Sequence, residues 1–347
     1  MGLSQQKWVY ERLFKVNIPQ VIIMSWLICC FTLLTPDESC AKSGIEPEQA
    51  NVMASQSLED RSHNDAGADK WFEFSLDAGY RKDNLSWNES GPSVNVQSEL
   101  KWENLEIAQI SAGVRFNFYA DWYLRDIMDV GSINSGSNQD ADYNGNNRTL
   151  EFSRSNNKGG GEVRDASIEL GRSFRFLNQS ETNILSFAPL LGLSIHQQHL
   201  TMTEGFQTLP ATGPYPGLNN SYDAQWQGPW LGIEAQLATS GSWSLNARAE
   251  YHWADYAAQA NWNLRPEYSH PVSFTHTAKG MGILLSAGAT YLISKNFSLN
   301  FSLKVQQWTT GSGIDQTFFI DGSVGTYTLN GVHWESTACT LGISHYF

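Results

Sequence analysis

The sequence of 347 residues predicts an all-β fold, a transmembrane antiparallel β-barrel of about ten strands. Three observations carry this. Long segments alternate apolar and polar residues, as Phe297, Leu299, Phe301, Leu303 and Val305 do with Ser298, Asn300, Ser302, Lys304 and Gln306. The wet faces hold the charge (Arg115, Asp121, Glu169, Glu234, Arg248, Glu250, Lys304), whereas the oily faces are long and bounded by Trp and Tyr. A soluble sandwich alternates too, so what points to lipid is the length of the charge-free face. Connections between the segments alternate short and long, the asymmetry of outer-membrane barrels.

Composition agrees. Charged residues make up 16%, under the roughly 25% usual in soluble domains, yet a mean hydropathy of -0.35 excludes a bundle of membrane helices. Aromatic residues at 12% and 29 glycines suit strands and turns, and 22 Lys and Arg under a net charge of -13 speak against nucleic acid as a partner.

Residues 1–41 read as a signal peptide. Lys7, Arg12 and Lys15 form a basic start, an apolar run spans 18–34, and Ser39 and Ala41 fit a small-x-small cleavage site. The run is short for a membrane anchor of about 20 residues, and Cys29, Cys30 and Cys40 lack a lipobox before them. Cleavage after Ala41 leaves Cys339 alone, which excludes an intrachain disulfide. Residues 42–70 are polar and without period, a flexible N-terminal extension, and 71–347 form the barrel.

Strands are expected at 71–82, 93–104, 106–123, 162–177, 183–203, 221–238, 242–256, 271–293, 296–310 and 326–347. The tight turns are then Asn104-Leu105, 177–182, 239–241 and Ser294-Lys295, and the long external loops 83–92, 124–161, 204–220, 257–270 and 311–325. The closing Ile343-Ser344-His345-Tyr346-Phe347 alternates and ends on Phe, as the barrel assembly machinery expects. The location implied is the cell outer membrane of a Gram-negative bacterium, loops outside, among outer-membrane lipid and lipopolysaccharide. Trp122, Tyr123, Trp243, Trp253 and Trp308 read as an interface girdle.

Ser98-Glu99-Leu100-Lys101-Trp102, Asp140-Ala141-Asp142-Tyr143 and Gly228-Pro229-Trp230-Leu231-Gly232 fall along the chain in the order of three short patterns in the omptins, and the strands from Tyr251 to Gly311 keep similar lengths. The chain thus resembles the omptin family, ten-stranded outer-membrane aspartyl proteases, over about 71–347, as a divergent and non-proteolytic member. The resemblance implies an Asp pair on one wall of the barrel mouth and an Asp-His pair on the other, activating a water. Asp140 and Asp142 match the first wall, and residues at i and i+2 of an extended segment point the same way. The second wall departs from the pattern: it falls at Asn261-Trp262-Asn263, and Asn cannot act as a base. Candidates for a displaced partner are His252, Asp255, His270 and His276, against the plainer reading of histidines in lumenal hydrogen-bond networks.

The acidic pair has a second interpretation independent of resemblance. Asp140, Asp142, Asn144 and Glu151 hold positions 1, 3, 5 and 12 of a calcium-loop pattern with Gly145 at the turn. No helices flank it, so an EF-hand is excluded, and calcium stands beside an inert Asx-rich turn. Walker, His-rich metal and Gly-x-Ser-x-Gly motifs are absent. The reading of function is therefore a surface-binding or structural barrel with calcium or lipopolysaccharide as candidate ligands and no certain cofactor. Against it stand an active endopeptidase with a displaced His and a small selective channel; ten strands make too narrow a barrel for a wide pore.

Overall fold

The computed structural model describes residues 70–177 and 183–347. The signal segment and residues 42–69 lie outside the described residues. The strands are β1 (Phe72–Ser90), β2 (Ser98–Asn117), β3 (Trp122–Gly145), β4 (Thr149–Arg172), β5 (Phe174–Leu177), β6 (Ile184–Leu209), β7 (Gly213–Pro214), β8 (Asn219–Ala238), β9 (Trp243–Asn261), β10 (Phe274–Ser294), β11 (Phe297–Thr310), β12 (Gly313–Phe318) and β13 (Val324–Tyr346). Strand β5 continues the line of β4 along β6, β12 continues that of β11 along β10 and β13, and β7 is a two-residue spur on β6, so the described strands make ten staves. All pairings are antiparallel, and β1 pairs with β13 from Glu73↔Tyr346 to Ser90↔Thr328, closing the ring. Among the described residues no helix is long and apolar enough to cross a membrane.

The expected class holds, while the boundaries change in the half of the barrel away from the chain ends. The segments expected as two strands, 93–104 and 106–123, are largely one strand, β2, with Asn104 at φ 54° in a bulge instead of a turn. The expected loop 124–161 is the hairpin of β3 and β4. Much of the other expected loops is also strand, leaving 91–97, 146–148, 210–218 (interrupted by β7), 262–273 and 319–323 as connections at one rim. The cause is physical: beyond the lipid the outward positions meet water and turn polar, while inward ones such as Leu85, Leu100, Trp102 and Leu105 pack on one another, so the oily outer face that marks a spanning strand is lost while the backbone ladder continues. Opposite this loop rim is a tight-turn rim with 118–121, 239–242 and 295–296.

Side chains alternate outward and inward as the pleat requires. Leu76, Ile110, Leu193, Ile233, Leu245, Ile283, Leu299, Phe301 and Leu341 are exposed on the outer face, with Trp243 and Trp253 among them, forming the apolar belt. Nearer the loop rim, outward positions become polar: Lys82, Glu106, Gln307 and the ion pair of Lys279 with Asp255. Two residues expected in the girdle, Tyr123 and Trp308, instead turn inward and are buried. The period-2 rule gives a face only once register is known, and the belt ends below Trp308.

The lumen is layered. Towards the tight-turn rim lies a cavity of about 380 Å³ lined by Glu73, Asp77, Arg115, Arg125 and Glu234. A second cavity of about 220 Å³ reaches His196, His252 and Lys304. The charged middle layer pairs internally. Arg81, fully buried, donates to both oxygens of Asp83 (2.8 and 2.7 Å) and to Asp165 (2.6 Å); Lys304 holds Asp129 (2.8 Å), and Arg125 makes a forked pair with Glu234 (2.8 and 3.0 Å). Above it lies an aromatic layer. Trp308 and Trp334 stack 5.4 Å apart, and Trp226 lies 5.7 and 6.2 Å from them. Gly282 makes room for Trp308, since a Cβ there would stand 2.5 Å from the indole.

Candidate functional site

Above the aromatic layer, staves from opposite sides of the ring place acidic residues and one histidine together. Asp140 sits across from Leu100 and Ser155, and Asp142 across from Ser98 and Ser153, so both share the inward face of β3 with the buried Leu100 and Ser155. Glu89 comes from the end of β1. His276 on β10 is in direct register with Asp315 on β12, which puts the two side chains on one face at neighbouring positions.

The resulting bonds are specific. Nε2 of His276 is 2.8 Å from Asp315 Oδ2, and Nδ1 is 2.8 Å from the Tyr222 hydroxyl. That hydroxyl lies 2.6 Å from Tyr256 Oη, and Thr317 donates to Asp315 Oδ1 at 2.9 Å. His276 is wholly buried, with Trp87 edge-on at 4.7 Å. One ligand atom each of Glu89, His276 and Asp315 lies within 4.8 Å of the others.

Electrostatics follow from crowding carboxylates where water is scarce. Burial, then Asp315, Asp142 and Asp140, hold the Glu89 carboxyl well above the usual carboxylate range. Asp140 is pushed up to about 8 by burial and then by Asp142, against the pull of Arg265 and a hydrogen bond from Trp262. Burial also raises Asp142, countered by the Ser98 hydroxyl, Arg265 and Ser153.

Of the residues expected from sequence, Asp140, Asp142 and His276 meet in this cluster, and the others do not. His252 sits lower in the lumen, 2.8 Å from Glu250 and 3.1 Å from Ser194. Asp255 faces outward to Lys279. His270 is an exposed rim residue, its Nδ1 2.7 Å from Asn261 Oδ1. Asn263 ties connections together, accepting from the Asn219 amide (2.9 Å) and donating to the Gly217 carbonyl (2.7 Å). Nor are the four calcium-loop positions brought together: Asn144 is exposed, and Glu151 is gripped at both oxygens by Arg154 (2.6 and 2.7 Å). Sequence reasoning missed Glu89 and Asp315. The one available signal was the alternation Ile314-Asp315-Gln316-Thr317-Phe318, which puts Asp315 on the same face as Thr317.

A family model described as Pom, Protochlamydia outer membrane protein, matches residues 75–347. The chain belongs to the Pom family. It is thus an outer-membrane β-barrel protein. No curated protein is recognisably similar to this Pom-family chain. Among solved structures, the outer membrane protease OmpT of Escherichia coli is similar in fold, with 13% identity over 80% of this chain and 97% of the other and a TM-score of 0.64. OprG of Pseudomonas aeruginosa (9% identity, 81% and 98% covered) and the translocator domain of NalP of Neisseria meningitidis (12%, 85% and 95%) give TM-scores of 0.33 and 0.32, too low to carry an argument. The architecture expected from the resemblance to omptins is thus shared with OmpT, while the family shown is Pom, and identity this low speaks for the fold alone.

Proposed function

We propose that the protein works from its loop rim at the outer face of the cell, as a surface-binding or structural barrel, not as an open pore or a peptidase. The observation that carries this reading is the layer of Trp226, Trp308 and Trp334, all at most 1% exposed, packed across the lumen. The site supports it: both ring nitrogens of the buried His276 are engaged within the protein, Nδ1 with the Tyr222 hydroxyl and Nε2 with Asp315. Longer connections at this rim and tight turns at the other support loops outside, among lipopolysaccharide and any surface ligand.

One observation favours a second reading. The cavities of about 380 and 220 Å³ below the aromatic layer already open part of the lumen, as a selective channel gated by the Trp layer would require. Planar-bilayer recording separates the two. The surface reading expects no discrete conductance from the purified protein and discrete steps from Trp308→Ala with Trp334→Ala. Steady steps from the unsubstituted protein would replace it with the channel.

A further inference from the structure

The geometry points to a binding site for a first-row divalent cation of the Zn²⁺ type, made by Glu89, His276 and Asp315 at the loop-rim mouth. It is distinct from the Asp140–Glu151 calcium pattern and independent of the surface-binding reading.

The donor set comes first. Two carboxylates and one imidazole are ligands for Zn²⁺ or Mn²⁺, and the imidazole disfavours Ca²⁺ and Mg²⁺, which take oxygen. Bonds of 2.0–2.2 Å at a tetrahedral ion place its donors about 3.4 Å apart, and the three atoms already lie within 4.8 Å of one another.

The groups behind the ligands are those a metal site needs. With an ion on Nε2, His276 carries its proton on Nδ1 and donates to Tyr222 Oη at 2.8 Å, which fixes the ring. Thr317 donates to Oδ1 of Asp315, leaving Oδ2, now facing His276, for the ion. An independent observation lies in the wall. Trp87, 2% exposed and edge-on to His276, has an indole N–H that finds no acceptor in the protein. Glu89 faces Asp315 with Asp140 and Asp142 nearby, a crowding of carboxyl groups that a divalent ion would relieve.

The test uses the full barrel, folded in detergent and stripped with chelator, titrated with Zn²⁺ and separately with Co²⁺ as a spectroscopic probe. The expected result is one Zn²⁺ per chain, a visible Co²⁺ absorption band, and no displacement by equimolar Ca²⁺. Glu89→Gln and Asp315→Asn should each weaken binding at least tenfold while heat-modifiable mobility shows that the barrel still forms. Tyr222→Phe should weaken it less. His199→Gln, which alters the surface His199–Asp223 pair, should change nothing. The proposal is overturned by absence of Zn²⁺ binding, by equal competition from Ca²⁺, or by binding that survives Glu89→Gln and Asp315→Asn but is lost with His199→Gln.

Discussion

Phe301 stands at the centre of the oily face of β11, between Phe297 and Val305, and is 42% exposed with Ala289 and Leu341 as cross-strand neighbours. At about 3.3 Å per residue and a tilt near 40°, the stretch from Phe297 to Val305 covers roughly 20 Å of membrane height, so Phe301 lies about 10 Å from either edge. An Arg there cannot reach headgroups without drawing water in, and Phe301→Arg should cost about 2–4 kcal/mol. The adjacent Asn300 points inward to the larger cavity, where it donates to Ser344 (2.8 Å) and accepts from Ser298 (3.3 Å). Asn300→Arg loses those bonds, about 1 kcal/mol together, but its guanidinium enters a wet space that Glu73 also lines. Equilibrium unfolding by urea in lipid vesicles, followed by Trp fluorescence, reads both variants against the parent. Equal penalties, or a larger one for Asn300→Arg, would refute the assignment of faces along β11.

Removing Arg81 should be as costly as a lipid-face charge: Arg81→Met leaves Asp83 and Asp165 buried without their shared cation, for about 3–5 kcal/mol in the same unfolding assay, and a neutral result would mean that this ion pair is not formed. With the Asp140 carboxyl raised from 3.8 to about 8, the folded state holds its proton more tightly than the unfolded chain. That stabilisation is complete below pH about 4 and is lost as pH rises through 8; in chelator the melting temperature should fall over this window, less steeply in Asp140→Asn, and an unchanged slope in the variant would disprove it. Peptide libraries incubated with protein and lipopolysaccharide should show no cleavage above background, with or without Asp140→Ala and Asp142→Ala. Cleavage that disappears in His276→Ala would install the endopeptidase instead.

The lower half of the barrel was legible because lipid imposes a strict pattern: every second residue of β9 or β11 is oily, and the register follows. Beyond the belt that constraint ends. Ser132, Ser135, Ser137 and Gln139 on β3 carry no apolar alternation, and the hairpin they belong to reads as a loop. Asn104 resembles a turn because Asn tolerates positive φ, which a bulge also uses. At the site, Asp140 and Asp142 could be paired from spacing alone because both lie on one strand. His276 and Asp315 could not, since 39 positions separate them and only the cross-strand register joins them.

The pairing of β1 with β13 has a consequence for assembly. Each other stave meets its neighbour through a hairpin, a contact local in sequence, whereas this seam joins residues such as Glu73 and Tyr346 from the two ends of the barrel. Until it zips, β1 and β13 each offer a long row of unsatisfied amides and carbonyls, which hydrocarbon does not tolerate. An open sheet therefore cannot wait in the bilayer for its last stave. Membrane entry and seam closure must be coupled, or a strand of a helper protein must template the open edges until β1 and β13 find each other.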